Sequence, residues 1–300
     1  MRDHKVIPIM QKNTYAFLDS GNGKKLEQFG SFTIIRPAAG AVWKPQHHAL
    51  WRQADAEYVR TSSKDGRWQM KNKKLPHQWE ITHSTHRFLI KPTSFGHLGI
   101  FPEHALSWQT IANFTSQCLS KLDICTILNL FAYTGGASMA ALKADAHVVH
   151  LDASKTSIAW AKENAHLNEL QDKPIRYIVD DVMKFVQREQ RRGHTYHGVI
   201  LDPPSYGRGN KGQVWKIEKD LPQLLEYIHR ILSNKCAFVF LSTHTPGYTP
   251  YVLENMLKQE FGETNNTRYE KGEMLIQTDR PDEDTMPLPS GSYSLFVHTS

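Results

Sequence analysis

The sequence predicts an α/β protein: an open, mostly parallel sheet with helices on both faces, preceded by a small β-rich domain. Three observations lead there. Strand-length apolar runs alternate with helix-length segments over residues 106–300, short aromatic runs cut by Gly, Pro and Asn fill residues 1–105, and a buried strand runs into Gly135-Gly136 and then a helix start.

In the N-terminal region the runs Tyr15-Ala16-Phe17-Leu18, Phe32-Thr33-Ile34-Ile35, Trp68-Gln69-Met70, Trp79-Glu80-Ile81 and Phe88-Leu89-Ile90 have strand length and turn-rich spacing. A helix is expected over Ser107–Lys121, then strand Ile124–Phe131, a short helix Ala137–Lys143 and strand Ala146–Asp152. The helix Lys155–Asn168 leads to strand Ile175–Val179, and Val182–Arg191 leads to strand His197–Asp202. The helix Asp220–Leu232, the strand Ala237–Ser242 and the helix Pro250–Glu260 follow. Glu273–Gln277 and Tyr293–Val297, separated by an acidic, proline-rich loop, read as an antiparallel pair that closes the sheet.

Charge divides at the same boundary. Residues 1–105 hold 16 Lys/Arg against 8 Asp/Glu, and residues 106–300 hold 20 against 22. A basic module on a near-neutral one suits a polyanionic substrate, because lysines and arginines release counterions from phosphates; a solvated basic face is the other reading. Trp43, Trp51, Trp68, Trp79 and Trp108, interleaved with Arg52, Arg60, Arg67, Lys71, Lys73 and Lys74, suit either base stacking or the core of a small β domain.

No run of about eighteen apolar residues occurs, which argues against a membrane-spanning helix. The charged start Met1-Arg2-Asp3-His4-Lys5 has no apolar segment of signal length behind it, so the expected location is the cytoplasm. Cys118, Cys125 and Cys236 show no CxxC spacing, and the sixteen histidines form no HExxH pair; neither a disulfide framework nor a metal site is expected.

Candidate site residues gather where strands end. Asn129-Leu130-Phe131-Ala132-Tyr133-Thr134-Gly135-Gly136-Ala137-Ser138 joins the first strand to its helix. The glycines let the backbone approach a ligand, and the helix start turns free N–H groups towards a carboxylate. Asp152, at the end of the second strand and followed by Ala153 and Ser154, stands where an acid accepts from ribose hydroxyls, with Ser154 the better helix cap. At the third strand end Asp181 is placed for an adenine amino group, and Asp180 as a dipole-favoured acid.

Asp202-Pro203-Pro204-Ser205-Tyr206 is the strongest motif. Two prolines remove backbone donors, so the Asp202 carboxylate and the adjoining carbonyls are expected to face a pocket without internal partners, ready to accept from a flat base. Asp202, Pro203 and Tyr206 are the expected catalytic groups, Tyr206 by stacking on the base, and Asp202 is also expected to contact the cofactor. Pro204, Ser205, Arg208 and Lys211, in the basic loop Gly207–Gly212, are expected to bind substrate.

Together, Asn129–Gly136, Asp180-Asp181-Val182 and Asp202-Pro203-Pro204 resemble the bacterial ribosomal RNA large-subunit methyltransferases of the cytosine-C5 and guanine-N7 type, over roughly residues 95–300. The resemblance implies a Rossmann-like, seven-stranded class I methyltransferase sheet, S-adenosyl-L-methionine as cofactor and ribosomal RNA as substrate. It also implies that Gly96-His97-Leu98-Gly99-Ile100-Phe101-Pro102-Glu103 is a degenerate form of a cofactor-contacting segment, with Phe101 and Glu103 as contacts. Two departures stand out. Relatives that methylate cytosine C5 carry a cysteine after the fifth strand, where this chain has Ser242-Thr243-His244-Thr245, and the N-terminal region matches no RNA-binding domain of those relatives.

Other readings are a methyltransferase for a protein or small molecule, and a non-catalytic RNA-binding protein on the same scaffold. A dinucleotide oxidoreductase shares the strand–glycine–helix–acid order but would need GxGxxG, which is absent.

Overall fold

The structure, a computed structural model, describes residues 13–61, 65–209, 212–277 and 285–299. It divides into two compact units, Met1–Pro102 with Ile276–Leu288, and Glu103–Leu275 with Pro289–Ser300. Residues 276–277 and 285–288, read from sequence with the second module, thus cluster with the first.

In the first unit β1 (Tyr15–Gly21), β2 (Lys24–Phe29), β3 (Phe32–Pro37), β4 (Ala56–Arg60) and β5 (Gly66–Met70) form one sheet in that order, with α1 (His48–Arg52) between β3 and β4. β6 (Trp79–His83) and β7 (His86–Ile90) form a separate antiparallel pair. Ala16, Leu18, Leu26, Ile35 and Ala54 make a small core, with Leu50 and Trp51 against it.

The tryptophans of this unit are built into its frame. The indole N–H of Trp43 donates to Ser20 Oγ, of Trp51 to Asp19 Oδ2, of Trp68 to the Thr93 carbonyl and of Trp79 to the Phe29 carbonyl, at 3.2, 2.7, 2.7 and 3.0 Å. Of the two sequence readings, this geometry favours packing.

The second unit starts with α2 (Ala105–Leu119), which buries Trp108, Ile111, Phe114 and Cys118. Strands and helices then alternate: β8 (Thr126–Leu130), α3 (Gly136–Lys143), β9 (His147–Asp152), α4 (Lys155–Leu167), β10 (Ile175–Val179), α5 (Val182–Arg191) and β11 (Gly198–Leu201). A small hairpin, β12 (Tyr206–Arg208) with β13 (Val214–Lys216), leads into α6 (Ile217–Ile231), β14 (Ala237–Thr243), α7 (Pro250–Phe261), β15 (Thr267–Ile276) and β16 (Leu288–His298).

The sheet order is β10-β9-β8-β11-β14-β16-β15. β10, β9, β8, β11 and β14 are parallel, and β16 runs antiparallel to β14. The four residues of β11 and the seven of β14 are all buried, as strands covered on both faces require. α5 buries Val182, Phe185, Val186 and Glu189, at the i, i+3, i+4, i+7 spacing of one helix face.

The chain leaves the centre through β8, β9 and β10, then returns to β11 on the other side of β8. This reversal opens a crevice at the carboxyl ends of β8 and β11, where Leu130 pairs with Leu201. No helix among the described residues is long and apolar enough to cross a membrane.

Candidate active site at the sheet reversal

The loop after β8 is wound unusually. Phe131, Tyr133 and Gly135 all have positive φ, at 54°, 48° and 94°. Two of the three are not glycine, and side chains held in that region mark a backbone fixed by its surroundings, often at a ligand site. The Asp152 carboxylate helps to hold it: Oδ2 accepts from Tyr133 N at 2.9 Å, while Oδ1 accepts from Ser154 N at 2.8 Å. Burial raises the Asp152 pKa, and these two donors oppose that shift.

Gly136 opens α3 directly against α2, and a Cβ there would lie 2.8 Å from the Trp108 indole. Gly135, in the left-handed region, is the N-cap. Beneath the turn, Asn129 Nδ2 donates to Ser138 Oγ at 2.9 Å, and Ser138 Oγ bonds His150 Nδ1 at 2.8 Å. Asn129, Thr134 and Ser138 are buried, at 3, 2 and 0% exposure. The structure therefore places them as supports under the loop, whereas Phe131, Tyr133 and Gly136 are partly exposed. His150, which the sequence reading missed, has its pKa pushed down to about 3 by burial and serves this network as a neutral ring.

Ser154 caps α4, accepting from Ser157 N at 3.1 Å, and Ala153 is partly exposed beside it. At the end of β10, Asp181 rather than Asp180 caps α5: its Oδ1 accepts from Lys184 N at 3.0 Å. Asp180 pairs with Arg188 and accepts from Asp181 N.

The expectation of an unpartnered Asp-Pro-Pro turn is corrected. Ser242 Oγ donates to Asp202 Oδ1 at 2.9 Å, Thr243 Oγ1 donates to the Pro203 carbonyl at 3.1 Å, and the Trp215 indole N–H donates to the Pro204 carbonyl at 2.7 Å. The prolines do remove local donors, but β14 and the β12–β13 hairpin bring others from 11 to 40 positions along the chain.

Asp202 Oδ2 faces two imidazoles, His104 Nε2 at 3.4 Å and His244 Nε2 at 3.7 Å. His244 Nδ1 lies 3.7 Å from Glu103 Oε1. Burial works against charge on both Asp202 and His244, yet their mutual attraction wins. Asp202 is held far below the usual carboxylate range by His244 and His104, and His244 is lifted to about 9 by Asp202 and Glu103. Atoms of His104, Asp202 and His244 lie within 4.8 Å of one another. Local spacing gave no hint of this cluster, because its members come from the start of α2, the end of β11 and the end of β14.

Glu103 is buried at 6% exposure, and among the described residues nothing donates to its Oε2. A buried carboxylate oxygen in want of a donor fits the ammonium of an amino-acid cofactor. Phe101 lies in the first unit and is partly exposed.

Tyr206 is 50% exposed on β12, and its hydroxyl accepts from Arg208 Nε at 2.9 Å. Pro203 is buried, Pro204 and Ser205 are exposed, and Ser205 Oγ bonds Thr245 Oγ1 at 2.9 Å. Lys211 lies outside the described residues.

A crevice at the sheet reversal, a strained turn after the first strand, an acid closing the second and Asp-Pro-Pro after the fourth define a class I methyltransferase. A family model described as S-adenosylmethionine-dependent methyltransferase matches residues 65–256, and the chain belongs to that family, as an enzyme that uses S-adenosyl-L-methionine. It is 36% identical to an S-adenosylmethionine-dependent methyltransferase of Agrobacterium tumefaciens of known structure, over 94% of this chain and 90% of that one, with a TM-score of 0.86. A Streptococcus mutans methyltransferase, 19% identical over 96% of this chain and 76% of that one, shares the fold with a TM-score of 0.73. Among curated proteins the chain is 30% identical over 183 residues to the ribosomal RNA large subunit methyltransferase K/L of Hahella chejuensis. That match takes in 60% of this chain and 23% of the relative, so the chain spans under a quarter of the relative's length.

Proposed function

We propose that the protein methylates RNA, ribosomal RNA first, at a nitrogen or by a carbon route that uses no cysteine nucleophile. The observation that carries this reading is the Asp202-Pro203-Pro204 turn beside the strained loop, with His244 rather than a thiol facing it. Cys236 lies at the opposite end of β14, buried against Cys118 at 2.7 Å. A basic first region and the ribosomal RNA methyltransferases among the relatives support the substrate class. The cytoplasmic setting expected from the sequence accords with it.

The proposed cofactor residues are Phe101, Glu103, Phe131, Tyr133, Gly135, Gly136 and Ala137, with Asn129, Thr134 and Ser138 holding the loop from below. Asp152, Ala153 and Ser154 take the ribose side, and Asp180 and Asp181 the base side. Glu103 accepts from the amino-acid ammonium, which answers its unfilled oxygen. When bound, the cofactor supplies an electrophilic methyl group on a sulfonium. The protein's task is then alignment and exclusion of water.

Asp202 suits an acceptor more than a base. His244 and His104 keep it anionic and weakly basic, while distances of 3.4 and 3.7 Å from Oδ2 exceed those of tight bonds, leaving that oxygen able to accept from an N–H of the target. Pro203 fixes the turn, and Pro204, Ser205, Tyr206, Arg208 and Lys211 are the proposed substrate contacts.

The charge pair makes a pH prediction. Since the His244 pKa is raised to about 9, its cation is present below that pH and lost above it. Methyl transfer is expected to decline as pH passes about 9 and to lose that limb in His244→Gln; an unchanged limb in the variant would assign it elsewhere.

Calorimetry with S-adenosylmethionine and with NAD, followed by labelled methyl transfer into ribosomal RNA from a deletion strain, tests the reading. Binding of the former alone and salt-sensitive incorporation into RNA are expected. Incorporation into protein, or activity indifferent to RNA and salt, would replace RNA with another substrate class.

A further inference from the structure

We infer that Trp215 is the platform on which the target base stacks, which makes a planar heteroaromatic ring a condition of entry to the site. The inference rests on the reading of RNA as substrate.

Three features carry it. First, Trp215 touches both halves of the site: its indole N–H donates to the Pro204 carbonyl at 2.7 Å, and its ring lies 4.9 Å from that of Phe131, the first residue of the strained loop. A base held at the Asp202 turn must therefore sit beside this indole.

Second, the hairpin leaves Trp215 alone on its face. Tyr206 pairs with Lys216, Gly207 with Trp215 and Arg208 with Val214. Side chains alternate along each strand, and those of paired residues share a face. Tyr206, Arg208, Val214 and Lys216 thus share one face, all exposed, and the other carries only Trp215 and the side-chain-free Gly207. Tyr206, expected from sequence to stack on the base, stands on the opposite face from the residue that contacts the turn.

Third, the indole has its polar need met and its surface partly open. Trp215 is partly exposed, and Phe131 meets it at 62° rather than lying parallel to it. A half-covered aromatic face beside hydrogen-bonding groups is the arrangement by which proteins hold an unstacked base.

The test compares Trp215→Leu with Trp215→Phe in the full chain, measuring kcat and KM for ribosomal RNA, S-adenosylmethionine affinity and thermal unfolding. Stacking predicts that the leucine variant loses about ten- to a hundredfold in kcat/KM for RNA. Cofactor affinity should stay within about twofold, and phenylalanine, which keeps a ring but no N–H, should restore most of the activity. Equal loss in both variants would mean that the bond to Pro204 matters and the ring does not, which overturns the inference. So would wild-type kinetics in the leucine variant, or loss of cofactor affinity in parallel with activity. Should the leucine variant fail to fold, quenching of indole fluorescence by RNA that persists undiminished in Trp215→Phe is the overturning result. Wild-type protein that transfers no methyl to RNA removes the functional reading itself, an outcome distinct from an active wild type matched by its variants.

Discussion

Asp202→Asn is expected to reduce methyl transfer by about 10²- to 10³-fold, the usual effect of removing one preorganised charged group from a reaction site. The change keeps the shape of the side chain and an oxygen for Ser242 Oγ, now 2.9 Å from Oδ1. It removes the negative charge that faces His104 and His244. His244 would then rely on Glu103 alone among these carboxylates, and its pKa should fall from about 9 towards the ordinary imidazole value. Two readouts separate the roles. If S-adenosylmethionine affinity is preserved while kcat falls and the alkaline limb moves to lower pH, Asp202 acts on the target. If affinity falls as much as turnover, Asp202 belongs to the cofactor side only.

The second large effect is on stability. Arg36→Met is expected to cost about 3–5 kcal/mol, the range for removing one member of a buried ion pair. Glu27 is fully buried, and Arg36 grips it with Nε on Oε2 at 2.7 Å and Nη2 on Oε1 at 2.8 Å. Tyr15 OH donates to Oε1 at 3.0 Å, and Lys25 lies 3.4 Å away. Burial pushes the Glu27 pKa up, but Arg36 and Lys25 more than reverse this and bring it to about 2.

The sign of the pH dependence follows. Because the folded pKa is depressed from 4.5, this carboxylate stabilises the fold fully above pH 4.5, and the contribution is lost as pH falls towards 2. In Arg36→Met that acid-side loss should shrink, since the carboxyl no longer gains as much from ionising. Urea unfolding of both proteins at pH 7 and pH 3 measures it. A cost below about 1 kcal/mol at pH 7 would mean that Lys25 and Tyr15 suffice. Converting the pair to Glu27→Leu with Arg36→Met should recover much of the loss.

Parts of the candidate site differ in how far they could be read in advance. Gly135-Gly136, Asp152 and Asp202-Pro203-Pro204 were legible because each follows a strand whose apolar run is local, and parallel sheets collect strand ends on one edge. Ser154 as a helix cap was legible for the same reason, its partner Ser157 being three residues away. Which of Asp180 and Asp181 caps α5 was not legible, because it goes with the pairing of Asp180 to Arg188, eight residues along. His104 and Trp215 carried no local signal, and Ser242 and His244 stood out only as occupying the place of a cysteine. They reach Asp202 and its turn across 11 to 98 positions of sequence, and no spacing rule relates them.

By itself, then, the sequence determined the alternation of strands and helices, the basic first region, the cofactor class and the identity of the turn. Period, glycine and proline act within a few residues, and the chain carries them wherever it goes. Only the tertiary structure decided that the Asp202 turn is partnered, that His104 joins His244 in facing it, and that Trp215 rather than Tyr206 lies against it. Those outcomes depend on which strand ends become neighbours and on which face a hairpin residue falls, and both are set by packing of the whole sheet.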